Sequence, residues 1–201
     1  MSNEKHIQDL KEIRSMMEHS TRFLSLSGMS GVMAGVYALV GAYLANNYAN
    51  GDHFKEYPNH QLPFLLIGLG VMAAALITGV ILTYFKARKS NQTLLDKTAL
   101  RMVAHIGFPM LVGAFFWLAL VYTPSVNLTA GVFLIFYGLG LINGSKYTVN
   151  DIRFLGFFDV ILGIIALFFP EHGLYLWAAG FGLGHIVYGT YVWAKYERNN
   201  G

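Results

Sequence analysis

Long apolar runs alternate with short polar segments along most of this chain. Six runs contain few or no charged residues: 23–45, 63–85, 102–122, 128–143, 152–169 and 174–194. A helix that crosses a bilayer needs about 20 predominantly apolar residues. The pattern therefore predicts an all-α polytopic membrane protein, in which residues 23–195 form six transmembrane helices arranged as antiparallel hairpins.

Residues 1–22, before the first run, have a helical period of their own. Ile7, Leu10, Ile13 and Met17 recur every three or four residues, and charged residues occupy the other faces. We predict a cytoplasmic or interfacial amphipathic helix. Its four basic and four acidic residues are not typical of a helix that adheres to anionic lipid. A solvated lead-in and a docking surface for a cytoplasmic partner both stay open.

Basic residues predict the orientation. Segments 1–22, 86–101, 144–153 and 195–201 carry four, five, two and two Lys or Arg residues, whereas the opposite loops carry only Lys55. Cytoplasmic segments hold the excess of basic residues in membrane proteins. Both termini are therefore expected in the cytoplasm, with residues 196–201 as a short tail.

Composition narrows the functional classes. The chain is 55% hydrophobic and 12% charged, compared with about 25% charged in soluble proteins. Its net charge of +3 comes from basic residues beside apolar runs, which argues against nucleic-acid binding. The absence of cysteine excludes disulfides and thiol nucleophiles. The polar first 22 residues do not resemble a removable signal peptide.

One carboxylate and one imidazole lie inside the last two apolar runs. Asp159 and His185 are equidistant from position 172, within the turn Pro170-Glu171-His172-Gly173, so an antiparallel hairpin places them at the same depth. Helical spacing puts Asp159 on a face with Gly156, Gly163 and Ala166, and His185 on a face with Gly182 and Gly189. Such small-residue faces suit close helix contact. We predict that both side chains point into the bundle.

Two interpretations of this pair stay open. Ionisable groups at membrane depth are by default candidates for a functional site, and the pair could share a proton. Alternatively, the contact simply fastens two helices, since interhelical polar contacts average about 0.6 kcal/mol.

His105 is the third candidate. Together with Asp159 and His185 it would supply the three ligands of a hydrolytic zinc site only if Pro109, which removes the hydrogen bond to the His105 carbonyl, kinks its helix inward. Haem held by His105 and His185 is disfavoured because the two differ in depth. An interfacial histidine is the simpler account of His105.

On the outer side, loop residues offer weaker metal or proton ligands. These are His53, His60, Glu171 and His172, accompanied by Asp52 and Glu56. They form a candidate divalent-cation or proton sensor, although polar residues are also expected in loops.

Small residues predict where helices approach closely. Gly31 and Gly35 form a GxxxG motif in the first run, and Gly70 and Ala74 repeat the spacing in the second. We interpret them as packing surfaces; a homodimer through these faces is an open alternative. Thr148-Val149-Asn150-Asp151 has the form of a capping box and predicts a helix beginning at Ile152.

The stretch from Leu155-Gly156-Phe157-Phe158-Asp159 to Gly163, with Phe169-Pro170 and Trp177-Ala178-Ala179-Gly180-Phe181-Gly182, resembles hairpins of small six-span bacterial membrane proteins. One group is the HdeD-like acid-resistance family. The other is a set of uncharacterised membrane proteins of Bacteroidota, which Arg14 to Gly31 and the ending Trp193-Ala194-Lys195-Tyr196-Glu197 also resemble. The resemblance implies location in the bacterial inner membrane and supplies no catalytic residue.

Three functional hypotheses follow. The first is a non-enzymatic membrane protein that binds a small ligand, ion or lipid, or responds to protons, through Asp159 and His185. The second is a metal-dependent intramembrane enzyme that uses His105, Asp159 and His185. The third is a membrane-anchored protein that docks a cytoplasmic partner at residues 1–22 and 86–101. No nucleotide-binding glycine motif, nucleophile elbow or zinc-protease motif is present, which favours a non-enzymatic role. No cofactor is indicated.

Overall fold

The computed structural model describes residues 6–8, 27–51, 61–89, 97–123 and 125–198, and this part of the chain contains helices and no strand. The first five long helices are α1 (Gly28–Asn50), α2 (Gln61–Lys89), α3 (Lys97–Val121), α4 (Thr129–Gly144) and α5 (Ile152–Phe168). Short 3-10 turns at Val126–Leu128 and Ser145–Tyr147 flank α4, and a third at Pro170–His172 follows α5.

The last helix, α6, covers residues 173–197 and changes its winding along its length. It comprises an α-helical turn at Gly173–Trp177, a π-helical segment at Ala178–Gly184, an α-helix at His185–Val192 and a second π-helical segment at Trp193–Glu197. The first π-helical segment has the sequence Ala-Ala-Gly-Phe-Gly-Leu-Gly. Glycine is poor at stabilising regular α-helix, and π-helical turns are often found at functional sites.

The described part of each of the six predicted runs lies almost entirely on a helix, which confirms the all-α prediction for the described residues. Within the described residues, four segments are long and apolar enough to cross a membrane by length and composition: Gly28–Asn50, Gln61–Lys89, Lys97–Val121 and Val126–Tyr147. Helix α5 is 17 residues long. Of the predicted amphipathic helix at 1–22, only His6 to Gln8 are described, and these are helical. The rest of it, and residues 199–201 of the tail, lie outside the described residues.

The helices lie side by side in the order α2, α1 and α6, followed by the pair α5 and α4, and then α3. Helix α6 packs most extensively on α1, and α4 packs most extensively on α5. The sequential pairs α1–α2 and α3–α4 are also neighbours, whereas α5 and α6 contact each other less than α6 contacts α1. The last helix is therefore held chiefly by the first.

Glycines bring two of these pairs into backbone contact. A Cβ atom added at Gly35 of α1 would lie 2.5 Å from the Gly182 carbonyl oxygen of α6, and one at Gly138 of α4 would lie 2.5 Å from the Gly156 oxygen of α5. Gly189 meets the backbone of Val32 in the same way. The small-residue face of α1, including Gly31, is thus occupied by α6 of the same chain.

Helix α2 exposes the large apolar side chains that an amphipathic helix of a soluble protein would bury. Its only buried residues are Thr83 and Ala87. Its large apolar side chains are exposed, among them Leu66 at 59%, Leu76 at 61% and Val80 at 62%.

A charged contact joins three helices at one end of the bundle. The Glu197 carboxylate near the end of α6 accepts a 2.6 Å hydrogen bond from the backbone N–H of Gly28, where α1 begins. The same oxygen lies 3.0 Å from Nζ of Lys86, in the last turn of α2. Because Ser27 makes no side-chain cap, Glu197 satisfies a free amide at the α1 N-terminus, where a negative charge is favourable.

A second polar cluster joins α5 to α6. Oδ2 of Asp151 accepts hydrogen bonds from Lys195 Nζ at 2.7 Å, from Tyr196 Oη at 3.0 Å and from Tyr191 Oη at 3.1 Å. Helix α5 begins at Ile152 as the capping-box pattern predicts, but the side chain of Asp151 at the N-cap position makes no capping hydrogen bond. The carboxylate binds α6 instead.

Replacing Gly138 with Ala is expected to lower the free energy of unfolding by about 1–3 kcal/mol, because the added methyl group meets the backbone of Gly156, which cannot move aside. Gly79→Ala on α2 is the matched control, since nothing lies within 4 Å of a Cβ added there. Thermal unfolding of both variants in detergent measures the difference. Equal melting temperatures for the two variants would contradict the proposed backbone contact.

Lys195→Met is expected to destabilise the protein at neutral pH and to have little effect in acid. Hydrogen bonding to Lys195 is the largest cause of a lowered pKa for Asp151. A carboxyl group whose pKa is lower in the folded than in the unfolded state contributes stability above the unfolded value, about 3.9. That contribution disappears as the pH falls through the folded value. Melting temperatures at about pH 7 and about pH 3, with Lys146→Met as control, test this; a pH-independent difference would refute it.

Candidate functional site

Asp159 is completely buried in the middle of α5. Its exposed fraction is 0%, and Gly156, Gly163 and Ala166 on the same face are buried too. This confirms the predicted inward face. Neither carboxylate oxygen has a hydrogen-bond partner among the described residues. Buried carboxylates are normally paired or hydrogen-bonded, so this side chain is an exception that calls for a functional explanation.

His185 is 6% exposed and uses both ring nitrogens. Nδ1 lies 3.1 Å from the carbonyl oxygen of Gly180, and Nε2 lies 2.7 Å from the hydroxyl oxygen of Tyr137 on α4. A carbonyl oxygen can only accept, so this network assigns the hydrogen of the neutral ring to Nδ1. In that form Nε2 accepts the hydrogen of Tyr137.

Gly180 connects Asp159 with His185. Its carbonyl oxygen accepts the imidazole hydrogen, and a Cβ atom at position 180 would lie 2.7 Å from Oδ1 of Asp159. The two side chains therefore meet the same residue from different sides. They do not hydrogen-bond to each other; the partner of the imidazole is Tyr137, not the carboxylate.

An aromatic cluster surrounds the imidazole. The ring of Phe181 stacks on His185 with centroids 5.8 Å apart and lies 4.8 Å from the ring of Tyr137. On its other side, Phe181 contacts Trp177 at 5.2 Å. Through Phe181, this cluster connects His185 with a tryptophan, a natural spectroscopic reporter.

His105 belongs to a different set of contacts. Asn143 Nδ2 lies 3.3 Å from its Nδ1 and donates a 3.0 Å hydrogen bond to its carbonyl oxygen, and its ring stacks on Tyr147 at 4.6 Å. The carbonyl is the one that Pro109 leaves without its usual helical donor. Asn143 supplies that donor, so the contacts of His105 are explained by helix stabilisation.

The outer candidates are only partly described. Oε1 of Glu171 lies 3.2 Å from Nδ1 of the adjacent His172, and both side chains are exposed. His53 and His60, like Asp52 and Glu56, lie outside the described residues. In the part of the chain that is described, no three His, Cys, Asp or Glu side chains are grouped as a metal site requires. This includes the predicted set of His105, Asp159 and His185.

Tyr137 and Gly180 are site residues that the sequence did not single out. Tyr137 lies near the middle of an apolar helix, and a hydroxyl there needs a partner, which is a signal that could have found it. Gly180 lies in a glycine-rich run where spacing alone does not distinguish one glycine from another.

Tyr137→Phe is expected to lower the free energy of unfolding by about 1–3 kcal/mol, because it leaves the buried Nε2 of His185 without its donor. Tyr175→Phe removes a hydroxyl from a ring that is 66% exposed and should have little effect. Chemical denaturation of the purified variants measures both values. An equal response to the two substitutions would mean that the hydrogen bond contributes nothing.

Comparison of this chain with models of protein families, with curated proteins and with solved structures gives no match. The resemblance to HdeD-like and Bacteroidota membrane proteins stays a prediction, and the function is argued from the site itself.

Proposed function

We propose that this protein is a six-span integral membrane protein of the bacterial inner membrane that responds to protons through Asp159 and His185. The membrane location is supported by the large apolar side chains that the fold leaves exposed. None of the residues in the most apolar 18-residue stretch of α2 is buried. A contiguous apolar surface of this kind is unfavourable in water and favourable against lipid.

Contacts at the two ends of the bundle support six spans with both termini in the cytoplasm. The Glu197 contact brings the start of α1, the end of α2 and the end of α6 together, and the basic-residue count assigns that end to the cytoplasm. The turns at Val126–Leu128 and Pro170–His172, both expected outside, contact each other.

The single observation that carries the functional proposal is the buried carboxylate without a hydrogen-bond partner. A charged side chain at the bilayer centre costs roughly 2.5–3.5 kcal/mol on insertion scales. Binding a proton removes that charge. The protonated and the deprotonated forms of Asp159 therefore differ in energy enough to change how α5 and α6 pack.

His185 makes the site sensitive to a second proton. A proton on Nε2 converts this atom from an acceptor into a donor, so Tyr137 would have to turn its hydrogen away. Because the carboxylate and the imidazole both contact Gly180, a charge on one is felt by the other. The two groups are expected to titrate as a coupled pair.

Close packing favours a proton over larger ligands. A methyl group at Gly180 would already meet Leu134 and Asp159, and one at Gly182 would overlap Leu39. This leaves little space for an organic molecule or a lipid headgroup at the carboxylate. The metal-enzyme hypothesis finds no group of three ligands among the described residues, and the hypothesis of a cytoplasmic docking protein stays a prediction.

Trp177 fluorescence tests the proposal. In lipid nanodiscs, with Trp117 and Trp193 replaced by Phe, wild-type emission should follow a sigmoidal curve between about pH 5 and about pH 9. Asp159→Asn and His185→Gln should each abolish the curve or shift it, because each removes one of the coupled groups.

Matched controls are Glu171→Gln, His105→Gln and His172→Gln, which change a carboxylate or an imidazole away from the site and should keep the wild-type curve. A wild-type protein without a pH-dependent signal, or a signal that follows His172, would overturn the proposal.

A further inference from the structure

Polar side chains extend from the surface of the bundle to the buried site along two helix faces. On α5, Asp151 and Asp159 are eight residues apart with Leu155 halfway between, so they share one face about 12 Å apart at 1.5 Å per residue. On α6, polar side chains recur every three or four residues, at His185, Tyr188, Tyr191 and Lys195. Residues with this spacing lie on the same face of a helix, one turn after another.

The surface end of this arrangement is the cluster around Asp151. Its carboxylate accepts hydrogen bonds from Lys195, Tyr191 and Tyr196, and the hydrogen bond with Lys195 is the main reason that its pKa is lowered. Asp151 therefore keeps its charge in mildly acidic solution. The cluster places several groups that can exchange protons at the surface of the bundle.

Along α6, Tyr188 comes three residues after His185 and three residues before Tyr191. Its hydroxyl is buried and has no hydrogen-bond partner among the described residues. Its ring packs against the apolar cluster of Leu141, Ile152 and Leu155, and the ring of Tyr137 packs against the same cluster. Tyr137 in turn holds Nε2 of His185. A buried hydroxyl without a partner lowers the free energy of unfolding by about 1–3 kcal/mol. A purely structural role for Tyr188 does not explain why the protein keeps a hydroxyl at this cost.

We propose that Tyr188 relays protons between the Asp151 cluster at the surface and Tyr137 with His185 inside. This inference rests on the proposed proton response. When the Tyr188 ring moves to bring its unpartnered hydroxyl within hydrogen-bond distance of its neighbours, its oxygen receives a proton from the surface side while its own proton leaves toward the Tyr137 oxygen. Tyr137 then passes its hydrogen to Nε2 of His185. Each hydroxyl ends with one proton, so the net change is one proton gained at His185.

Within the part of the chain that the structure describes, the titratable groups facing this path come from three helices. Tyr137 comes from α4, Asp151 and Asp159 from α5, and His185, Tyr191, Tyr196 and Lys195 from α6. Helix α1 packs on α6, but its Tyr37 hydroxyl lies 3.1 Å from that of Thr78 on α2 and so serves a different contact.

Tyr188→Phe tests the relay through the rate of the response rather than its extent. After a stopped-flow pH jump, the Trp177 signal of this variant should reach the wild-type amplitude and midpoint, but more slowly by roughly tenfold or more. Tyr188→His, which restores a group that can exchange protons, should recover part of the rate. Tyr175→Phe, at the far end of α6, is the matched control and should respond at the wild-type rate.

A second measurement needs no substitution. In vesicles with uniform orientation, wild-type protein should respond faster when the side bearing Asp151 and Lys195 is acidified than when the opposite side is. An unchanged rate in Tyr188→Phe, or a faster response from the opposite side, would overturn the relay and leave the proton response standing. A wild-type protein with no response at equilibrium would instead refute the proposed function.

Discussion

Backbone contact between glycines is the constraint on which this bundle depends. In the bilayer location that we propose, the hydrophobic effect does not drive helices together, so close van der Waals packing and interhelical hydrogen bonds must do so. Gly35 against Gly182 places α1 on α6, and Gly138 against Gly156 places α4 on α5. A Cβ atom at Gly35, Gly138 or Gly156 would lie within 2.7 Å of a backbone oxygen of the partner helix. Helices held this closely cannot shift independently, and the groups between them keep a defined geometry.

The candidate site follows from this packing. Asp159 lies on the glycine face of α5, so the same contacts that bring α4 to α5 enclose its carboxylate. The π-helical segment then turns α6 so that the Gly180 carbonyl and the His185 ring meet. A buried carboxylate without a donor destabilises the fold, and natural proteins accept such costs mainly at functional sites. A proton relieves the cost without requiring space that the glycines have removed.

Local sequence signals located several features correctly but did not identify their partners. Thr148 and Asp151 predicted that a helix begins at Ile152, and it does, yet the Asp151 carboxylate binds Lys195 on another helix. Pro109 indicated a carbonyl at His105 that needs a donor, and only the packing of α3 on α4 shows that Asn143 provides it. The equal depth of Asp159 and His185 led to the expectation of a direct pair, whereas Gly180 connects them.

The sequence by itself determined the six helical runs and the inward faces of Asp159 and His185, because hydropathy and helical period depend only on neighbouring residues. Tertiary structure alone decided that α1 is the main partner of α6 and that Tyr137 holds the imidazole. The physical reason is that a partner depends on which helices lie side by side and on how each is rotated about its axis. A π-helical segment changes that rotation without altering the hydropathy pattern from which the faces were predicted.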